Sequence, residues 1–415
     1  MRNILFALLS SLLLTYCTKS SDNLTIKEGM SIERLSRIDS MLNKAVKSKE
    51  IPGAVALVAR NGKTIYQKAF GIANPENNSI VIESDIFRIA SMTKAITSLA
   101  VLMLWEEGKF FLDDPISKYI PAFSEVEILD DFNYKDSTYT SILPKNKITI
   151  RDLLTHTSGI GYGEIDGNPA IRSIYWKRGL RDIFSPDQNM EEITNLIAKQ
   201  PLHHEPGERY TYSLGLDVLG HFVELISGMT FPEFLRTRVF EPLGMNDTYF
   251  TLPEEKQDRL VPVLTRDGDE WIVYNASFYD VNYPLKSKNY FSGGAGLSST
   301  VEDYAKFLFL FLNNGKANGH QIIGKKTCEL VYENQMPKNV NISHGLAFGV
   351  LSEKDLKVGS GGSEGTLTWG GYFNTSYFAD PEEKIIGIIY KQTFNIGYDT
   401  TSVRFRELVF QAVVE

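Results

Sequence analysis

The chain has 415 residues, of which 43% are hydrophobic and 12% aromatic, so it can bury a large core in one or two domains. Its 51 Asp and Glu residues exceed its 43 Lys and Arg residues, which gives a formal net charge of −8. The sequence contains no strongly basic block, and this argues against nucleic acid as the main partner.

The N-terminal region has the features of an export signal, which we place at residues 1–16. A basic start at Arg2 precedes an apolar stretch, residues 4–14, that is too short to span a bilayer. Such a segment is a targeting signal that is usually cleaved, so we exclude it from the predicted fold.

A lipid anchor is expected directly after this signal. Leu14-Thr-Tyr-Cys17 resembles a bacterial lipoprotein processing site, in which Cys17 would carry the lipid. Residues 17–25 would then form a polar tether that holds the protein at a membrane of the cell envelope or periplasm. Because Tyr16 replaces the small residue usual at such sites, an ordinary cleaved signal is the alternative. Cys328 is the only other cysteine, so no disulfide is expected in the mature chain.

The first elements of the mature chain are a helix and a strand hairpin. Residues 32–49 have helical periodicity, and residues 54–60 have the composition of a buried strand. Asn61-Gly62 follows directly and precedes a second strand over 64–70, an arrangement typical of a two-residue β-turn.

Ser91 and Lys94 lie three residues apart at the start of the next predicted helix, which ends near Gly108. At this spacing a hydroxyl and an amine occupy the same helical face and can share a proton. Apolar residues recur at helical spacing behind them, so the helix would be buried, and burial favours the neutral form of an amine. The positive end of the helix dipole also favours the developing alkoxide. This pattern predicts a serine nucleophile that is activated by a lysine.

Residues 112–290 differ in composition from the preceding part of the chain. They are rich in aromatic residues, Pro and Gly, and their pattern predicts short helices. We expect a loop over 130–147, a turn at 206–207 that leads into a helix over 216–227, and a flap over a cleft within 250–290. This part of the chain should therefore be mainly helical.

Strand character returns near the C-terminus. Residues 366–379 and 385–390 alternate in hydrophobicity around a turn at 380–384, and an amphipathic helix over 401–414 closes the chain. Strands at both ends with helices between them predict an α/β (α+β) fold whose single sheet is assembled from both chain ends. The predicted boundaries are 26–415 for the domain, about 26–110 and 290–415 for its sheet-containing part, and about 111–289 for its helical part.

Two competing site motifs do not fit their structural context. Gly361-Gly-Ser363-Glu-Gly365 matches the G-x-S-x-G pattern, but that motif needs a helix and a later histidine, and the last histidine is His344. We interpret it as a glycine-rich loop. His203 and His204 are adjacent, a spacing unlike that of zinc sites, so we expect no metal, and no cofactor is implied. His156 lies in a predicted turn, where a structural hydrogen-bonding role is expected.

Five stretches together resemble the serine hydrolases related to class C β-lactamases and penicillin-binding proteins. They are residues 87–94, 148–159, 206–220, 292–300 and 368–380, in the family's order. The resemblance implies a β-lactamase/transpeptidase-like fold, an antiparallel sheet flanked by helices with a mainly helical insertion. It also implies that Ser91 is acylated, that Lys94 accepts or relays its proton, and that Tyr212 is the second proton carrier. Tyr210, two residues earlier, is the alternative alignment.

Two departures from the lactamase pattern concern the substrate pocket. Leu214 replaces the asparagine of the family's Tyr-x-Asn element, and Trp369-Gly370-Gly371 replaces Lys-Thr-Gly, as in the esterase-like members. Tryptophan offers an apolar face and one N–H where lysine would hold a carboxylate. A pocket built from these four residues would therefore suit a neutral or apolar acyl group.

The resemblance further implies an oxyanion hole formed by the backbone N–H groups of Ser91 and Tyr372. Gly293, Gly294 and Gly296 are expected to serve a tight backbone bend behind the site. Glu364 and His344 receive no role.

These inferences favour an exported serine hydrolase that cleaves small-molecule carboxylic esters through an acyl-enzyme. An alternative within enzymes is action on an amide, as a D-amino-acid peptidase or carboxypeptidase or as a weak β-lactamase. An alternative of another class is an envelope-binding or sensor protein that is acylated without turnover. Protein partners and oligomeric state are not indicated by the sequence.

Overall fold

The computed structural model describes residues 25–180, 188–275, 280–357, 361–397 and 399–415. The predicted export signal, Cys17 and nearly all of the predicted tether lie outside the described residues. Within the described ranges, no helix is both long and apolar enough to cross a membrane.

A seven-stranded antiparallel sheet forms the centre of the fold. Its strands, in chain order, are β1 (Gly53–Arg60), β2 (Lys63–Asn74), β3 (Ser79–Ile80), β4 (Gly349–Val350), β5 (Leu367–Gly371), β6 (Thr375–Asp380) and β7 (Ile385–Tyr390). Their order across the sheet is β4-β5-β6-β7-β1-β2-β3. Because β7 pairs with β1, the two ends of the chain meet in the middle of the sheet, which confirms the predicted assembly.

Local turn chemistry explains one correct prediction and one error in this sheet. Asn61 and Gly62 have φ values of +53° and +80° and join β1 to β2, as their sequence predicts. The single strand predicted over 366–379 is wrong, because the chain turns between β5 and β6. Asn374 at that turn has φ +70°, a conformation that asparagine tolerates. The aromatic residues before it have a high strand propensity, and for this reason the sequence pattern predicted a continuous strand.

Helices cover both faces of the sheet. The five that matter for the site are α1 (Arg37–Lys47), α2 (Thr93–Glu106), α3 (Gly215–Ser227), α4 (Val301–Leu312) and α5 (Thr401–Gln411). Val55 and Leu57 of β1 pack in a core that includes α2 and α4, whereas Ala56 and Val58 pack against α1 and α5. Alternate residues of β1 therefore face opposite layers, which is why the whole strand is buried.

The part between α2 and α4 is mainly helical and also contains two hairpins. Besides α3, its α-helices are Ile150–Leu154, Pro169–Lys177, Met190–Ala198, Phe231–Leu235 and Glu241–Leu243. The hairpins are Ile128–Phe132 with Tyr139–Ile142 and Leu264–Asp267 with Glu270–Val273. The loop predicted over 130–147 is thus partly strand. The predicted flap is bound to the sheet-containing part through Arg88. This side chain donates to the carbonyl oxygens of Val261 and Val281, which lie in the flap.

The remaining elements are short. The helices are Ile32–Leu35, Lys325–Val331 and Glu353–Lys357; the paired strands are Ile26–Lys27 with Met30–Ser31, Phe87–Arg88 with Ser298–Ser299, and Lys316–Ala317 with His320–Gln321. The helix predicted over 32–49 is therefore interrupted at Ser36. Cys328 is a buried free thiol.

Candidate active site

Ser91 lies in a one-turn 3₁₀ segment, Ala90–Met92, that leads directly into α2. Ala90 has φ +42°, a left-handed conformation that costs a non-glycine residue on the order of 1 kcal/mol. The turn is held from outside, because the Ile89 N–H donates to the Leu297 carbonyl and the Tyr304 hydroxyl donates to the Met92 carbonyl. The surrounding structure thus imposes the position of the serine.

The amine of Lys94 is buried and makes three short polar contacts. Its Nζ lies 2.8 Å from the Gly294 carbonyl oxygen, 3.0 Å from the Tyr162 hydroxyl and 3.5 Å from Ser91 Oγ. Lys94 is only 1% exposed, and the hydrogen bonds of its amine to the described residues include none to a carboxylate. The serine and lysine predicted to work together are therefore brought together, with a separation that a bound substrate can shorten.

The glycine segment after Tyr290 is bound along α2. Lys94 and Thr97 donate to the carbonyl oxygens of Gly294 and Gly293, and Thr93 Oγ1 accepts from the Leu297 N–H. None of these glycines has a positive φ. The expected tight bend is present, because residues 293–295 form a turn and the Gly296 N–H donates to the Ser292 carbonyl oxygen, but this turn does not use the left-handed φ that glycine allows. A Cβ at Gly293 would lie 2.3 Å from the Leu216 carbonyl oxygen, so close approach to α3 requires glycine there.

Asp217 of α3 anchors this segment from below. Its Oδ1 accepts hydrogen bonds from the Tyr290 hydroxyl at 2.8 Å, from Ser292 Oγ at 2.6 Å and from the Gly294 N–H at 3.3 Å. The side chain is 1% exposed, and Oδ2 has no hydrogen-bond partner among the described residues. Asp217 therefore positions Gly294, the residue whose carbonyl oxygen accepts from Lys94, both directly and through Ser292 Oγ, which accepts from the Ala295 N–H. Sequence reasoning did not identify it.

Two tyrosines cover the amine, and only one of them was expected. Tyr212 and Tyr162 stack with ring centroids 5.0 Å apart and an interplanar angle of 13°. Lys94 Nζ lies 4.6 Å from the Tyr212 ring centroid, whereas its hydrogen bond is to the Tyr162 hydroxyl. Tyr162 follows the motif at 148–159 by three residues, and this proximity is the sequence feature that could have identified it as a site residue. Tyr210, the alternative in the sequence, packs on His156 and His344 instead.

His156 fixes the segment that carries Tyr212. Its Nδ1 lies 3.0 Å from Ser213 Oγ and accepts from the Ser213 N–H, while its carbonyl oxygen accepts from the Thr211 N–H. The expected hydrogen-bonding role is thus observed. Burial, together with the charge of Lys94, holds the pKa of His156 well below its usual value. Burial likewise lowers the pKa of His344 to about 4.

Strand β5 forms the opposite wall of the site. Trp369 packs against Tyr212 with ring centroids 5.9 Å apart, and against His344 at 5.2 Å. A Cβ on Gly371 would lie 2.4 Å from the Ile89 carbonyl oxygen, so glycine lets β5 approach the turn that carries Ser91. Tyr372 follows directly after β5 and is 40% exposed. The two elements predicted to supply oxyanion N–H groups therefore lie side by side.

The other residues considered in the sequence lie elsewhere. Leu214, predicted to line the substrate pocket, is 1% exposed and belongs to the main core, so we correct that assignment. Ser363 lies in a loop before β5, where its N–H donates to Asp380. His203 bonds Asp166, whereas His204 bonds Thr211, and no cluster of three potential metal ligands occurs within the described residues.

The fold and the contact between a serine, a buried lysine and an overlying tyrosine pair define a serine hydrolase of the acyl-enzyme type. Residues 38–408 match the family model described as Beta-lactamase, and the chain belongs to this family.

Similar proteins include named esterases. The chain is 30% identical to Esterase EstB of Burkholderia gladioli over 383 residues, covering 88% of this chain and 92% of that one. It is 28% identical to the lovastatin esterase of Penicillium rubens, covering 85% and 91%. Among solved structures it resembles EstCE1, described as a hydrolase with promiscuous acyltransferase activity, with a TM-score of 0.76, 25% identity and coverage of 91% and 99%.

Proposed function

We propose that this serine hydrolase cleaves carboxylic esters through an acyl-enzyme on Ser91. The observation that carries the proposal is the contact of Ser91 Oγ with the buried amine of Lys94. The similarity to two esterases supports an ester as the substrate. Trp369 supports it as well, because an aromatic side chain occupies the β5 position where a cation would favour an anionic β-lactam.

In the proposed mechanism, Ser91 Oγ attacks the ester carbonyl carbon and its proton passes to the Lys94 amine. When the tetrahedral intermediate collapses, the departing alcohol takes up that proton, and Ser91 remains as an acyl ester. Water then attacks the acyl carbon and gives a proton to the amine. When the second intermediate collapses, Ser91 Oγ leaves and takes this proton back, and the carboxylic acid is released. Tyr162 and Tyr212 are the hydroxyl groups available to relay these protons.

We assign the oxyanion hole to the backbone N–H groups of Ser91 and Tyr372, which would hold the negative oxygen of each tetrahedral intermediate. The closeness of β5 to the Ser91 turn supports this assignment. A phosphonate adduct of the protein would test it directly, because the P–O oxygen should lie about 3 Å from both nitrogens. An adduct oxygen directed elsewhere would contradict it.

The main experiment compares hydrolysis of p-nitrophenyl butyrate, nitrocefin and a D-alanyl-D-alanine peptide. We expect turnover of the ester and a butyryl adduct on Ser91 by mass spectrometry. Ser91→Ala should abolish both, and Lys94→Ala should reduce turnover by at least about a hundredfold. Ser363→Ala is the matched control, because that serine lies in the rejected G-x-S-x-G motif and should leave the rate unchanged.

The outcome also decides between the alternatives. Hydrolysis of the peptide or of nitrocefin, without hydrolysis of any ester, would replace the esterase by an amide hydrolase. An acyl adduct that persists for hours without turnover would indicate a binding or sensor protein. The proposed function requires that the butyryl adduct form and disappear at the rate of turnover.

We also propose that the protein is exported and anchored to the cell envelope through a lipid on Cys17. The basic start, the short apolar stretch and the cysteine that follows it support this proposal. Metabolic labelling with a fatty acid in a bacterial host should label the wild type and not Cys17→Ser. Secretion of an unlabelled, cleaved wild-type chain would favour the ordinary signal instead.

A further inference from the structure

A cleft of about 590 Å³ opens beside the two stacked tyrosines. Its volume is in the range of sites that hold small organic molecules. Its lining includes the aromatic rings of Tyr162, Tyr210 and Tyr212 and the polar side chains of Asp166, Asn168, His203 and Thr211. Tyr162 and Tyr212 both line the cleft and both contact Lys94, so the cleft adjoins the reaction centre.

Asp166 and His203 form a hydrogen-bonded pair in the wall of this cleft. His203 Nε2 lies 2.9 Å from Asp166 Oδ2. Asp166 is 5% exposed and also accepts the backbone N–H groups of Tyr162 and Asn168 at 2.9 and 2.8 Å. Burial alone would raise the pKa of Asp166, but these hydrogen bonds, led by that from His203, hold it below its usual value. The pair therefore contains an ionised carboxylate in a fixed position.

The carboxylate determines which nitrogen of His203 is available to a ligand. Since Asp166 accepts only, Nε2 must carry the hydrogen, and in the neutral ring Nδ1 then holds a lone pair. Nδ1 has no hydrogen-bond partner among the described residues, and the side chain keeps 13% of its surface exposed. In that tautomer the ring of His203, which lines the cleft, offers Nδ1 as an acceptor.

One tyrosine connects this acceptor to the reaction centre. The backbone N–H of Tyr162 donates to Asp166, and its hydroxyl accepts from Lys94. A single side chain therefore spans the distance from the pair to the amine. No hydrogen bond joins the Tyr212 hydroxyl to another described residue, so this hydroxyl is available as a proton donor, and Tyr212 lines the cleft. We take the alcohol part of the ester as the part that enters the cleft.

We infer that the Asp166–His203 pair binds a hydroxyl group on the alcohol part of the substrate, so that the preferred substrates are esters of polyols such as glycerol or a sugar. The hydroxyl donates to His203 Nδ1, and the rings of Tyr210 and Tyr212 supply flat surfaces for the carbon skeleton. This inference rests on the proposed ester hydrolysis and adds the class of the alcohol.

The test compares glyceryl monobutyrate with ethyl butyrate, which share an acyl group and differ in the hydroxyls of the alcohol. His203→Gln is the informative variant, because glutamine keeps an N–H near the Nε2 position for Asp166 but has no atom at Nδ1. We expect kcat/KM for the glyceryl ester, divided by kcat/KM for the ethyl ester, to fall about tenfold, mainly through KM. His221→Gln, whose histidine pairs with Glu224 outside the cleft, should leave this ratio unchanged.

An unchanged ratio in His203→Gln would overturn the inference while leaving ester hydrolysis intact. The inference would also be overturned if His203→Gln lowered kcat/KM for ethyl 3-hydroxybutyrate but not for the glyceryl ester. The hydroxyl bound by His203 would then lie on the acyl part of the substrate. If the variant is unstable, Asp166→Asn measured with the same esters is the second readout, and the ratio should again fall. Failure of the wild type to hydrolyse either ester would instead refute the proposed function.

Discussion

The hydroxyl of Tyr162 lies 3.0 Å from the amine of Lys94, while the ring of Tyr162 stacks on Tyr212. The lysine predicted to activate the serine is therefore bonded to a tyrosine that comes 68 residues later in the chain. Tyr212, which the resemblance implies as the proton carrier, presents its ring to the amine and borders the cleft with its edge. The two tyrosines are thus placed for different tasks.

Substitution of each tyrosine by phenylalanine should separate these tasks. Tyr162→Phe removes the hydroxyl that orients Lys94, so we expect kcat to fall about tenfold to a hundredfold for every ester. Tyr212→Phe removes the hydroxyl that we propose protonates the alcohol. Its kcat should therefore fall strongly for ethyl butyrate, whose leaving group needs a proton, and little for p-nitrophenyl butyrate.

Steady-state kinetics with these two esters measure the difference, and circular dichroism checks that both variants keep the fold. Because phenylalanine preserves the ring stack, stability should change by no more than about 1 kcal/mol. An equal loss on both esters in Tyr212→Phe would remove Tyr212 from the leaving-group step.

Asp217 should support catalysis as a hydrogen-bond acceptor that holds Gly294 in place. Asp217→Asn keeps an acceptor for Tyr290, Ser292 and the Gly294 N–H, so we expect kcat within about threefold of wild type. Asp217→Ala leaves these donors unpaired and releases the Gly294 carbonyl, so kcat should fall at least about tenfold. The pair of variants is compared at equal folded fraction, measured by urea unfolding. Equal activity of the alanine and asparagine variants would show that the anchor is dispensable.

The two glycines of β5 should differ in their tolerance of a methyl group. A Cβ at Gly371 would lie 2.2 Å from Thr375 Oγ1 and 2.4 Å from the Ile89 carbonyl oxygen, so Gly371→Ala must push the strand away from the Ser91 turn. At Gly370 the nearest atom is the Thr375 carbonyl oxygen at 3.0 Å. We expect Gly371→Ala to lose at least about tenfold in kcat/KM and Gly370→Ala to lose much less. The reverse order would contradict the close approach of β5.

His344 should make the protein sensitive to acid. Neither of its ring nitrogens has a hydrogen-bond partner among the described residues, and burial lowers its pKa from 6.5 to about 4. The unfolded chain therefore binds a proton more readily than the folded one, so stability is full above about pH 6.5 and falls as the pH drops toward 4. From this shift the loss is on the order of 3 kcal/mol, to which the neighbouring His156 adds.

His344→Phe removes the titrating group and keeps an aromatic ring beside Trp369. We expect its free energy of unfolding to equal that of the wild type within about 1 kcal/mol at pH 7.5 and to decline less toward pH 4.5. Urea denaturation at both pH values measures this, with the exposed His320→Gln as control. Parallel pH profiles for His344→Phe and the wild type would contradict the assignment.

The predictions that succeeded depend on short sequence separations or on strong periodicity. Ser91 and Lys94 are one helical turn apart, so their proximity is a property of the helix itself. The Asn61-Gly62 turn and the strands β1 and β7 are likewise specified by the residues within them. The predictions that failed concern residues whose environment is set by distant elements. Leu214 was assigned to the pocket from its place in a motif, but its side chain packs in the main core.

The amino-acid sequence by itself determined that Ser91 and Lys94 lie together and that one sheet is assembled from both chain ends, because local spacing and periodicity encode these features. Only the tertiary structure decided which groups surround the amine. Tyr162, Gly294 and Asp217 come from separate parts of the chain, and no local rule relates them. They meet because burial of α2 brings α3 and the glycine segment against it, and a buried amine must find its hydrogen-bond partners there.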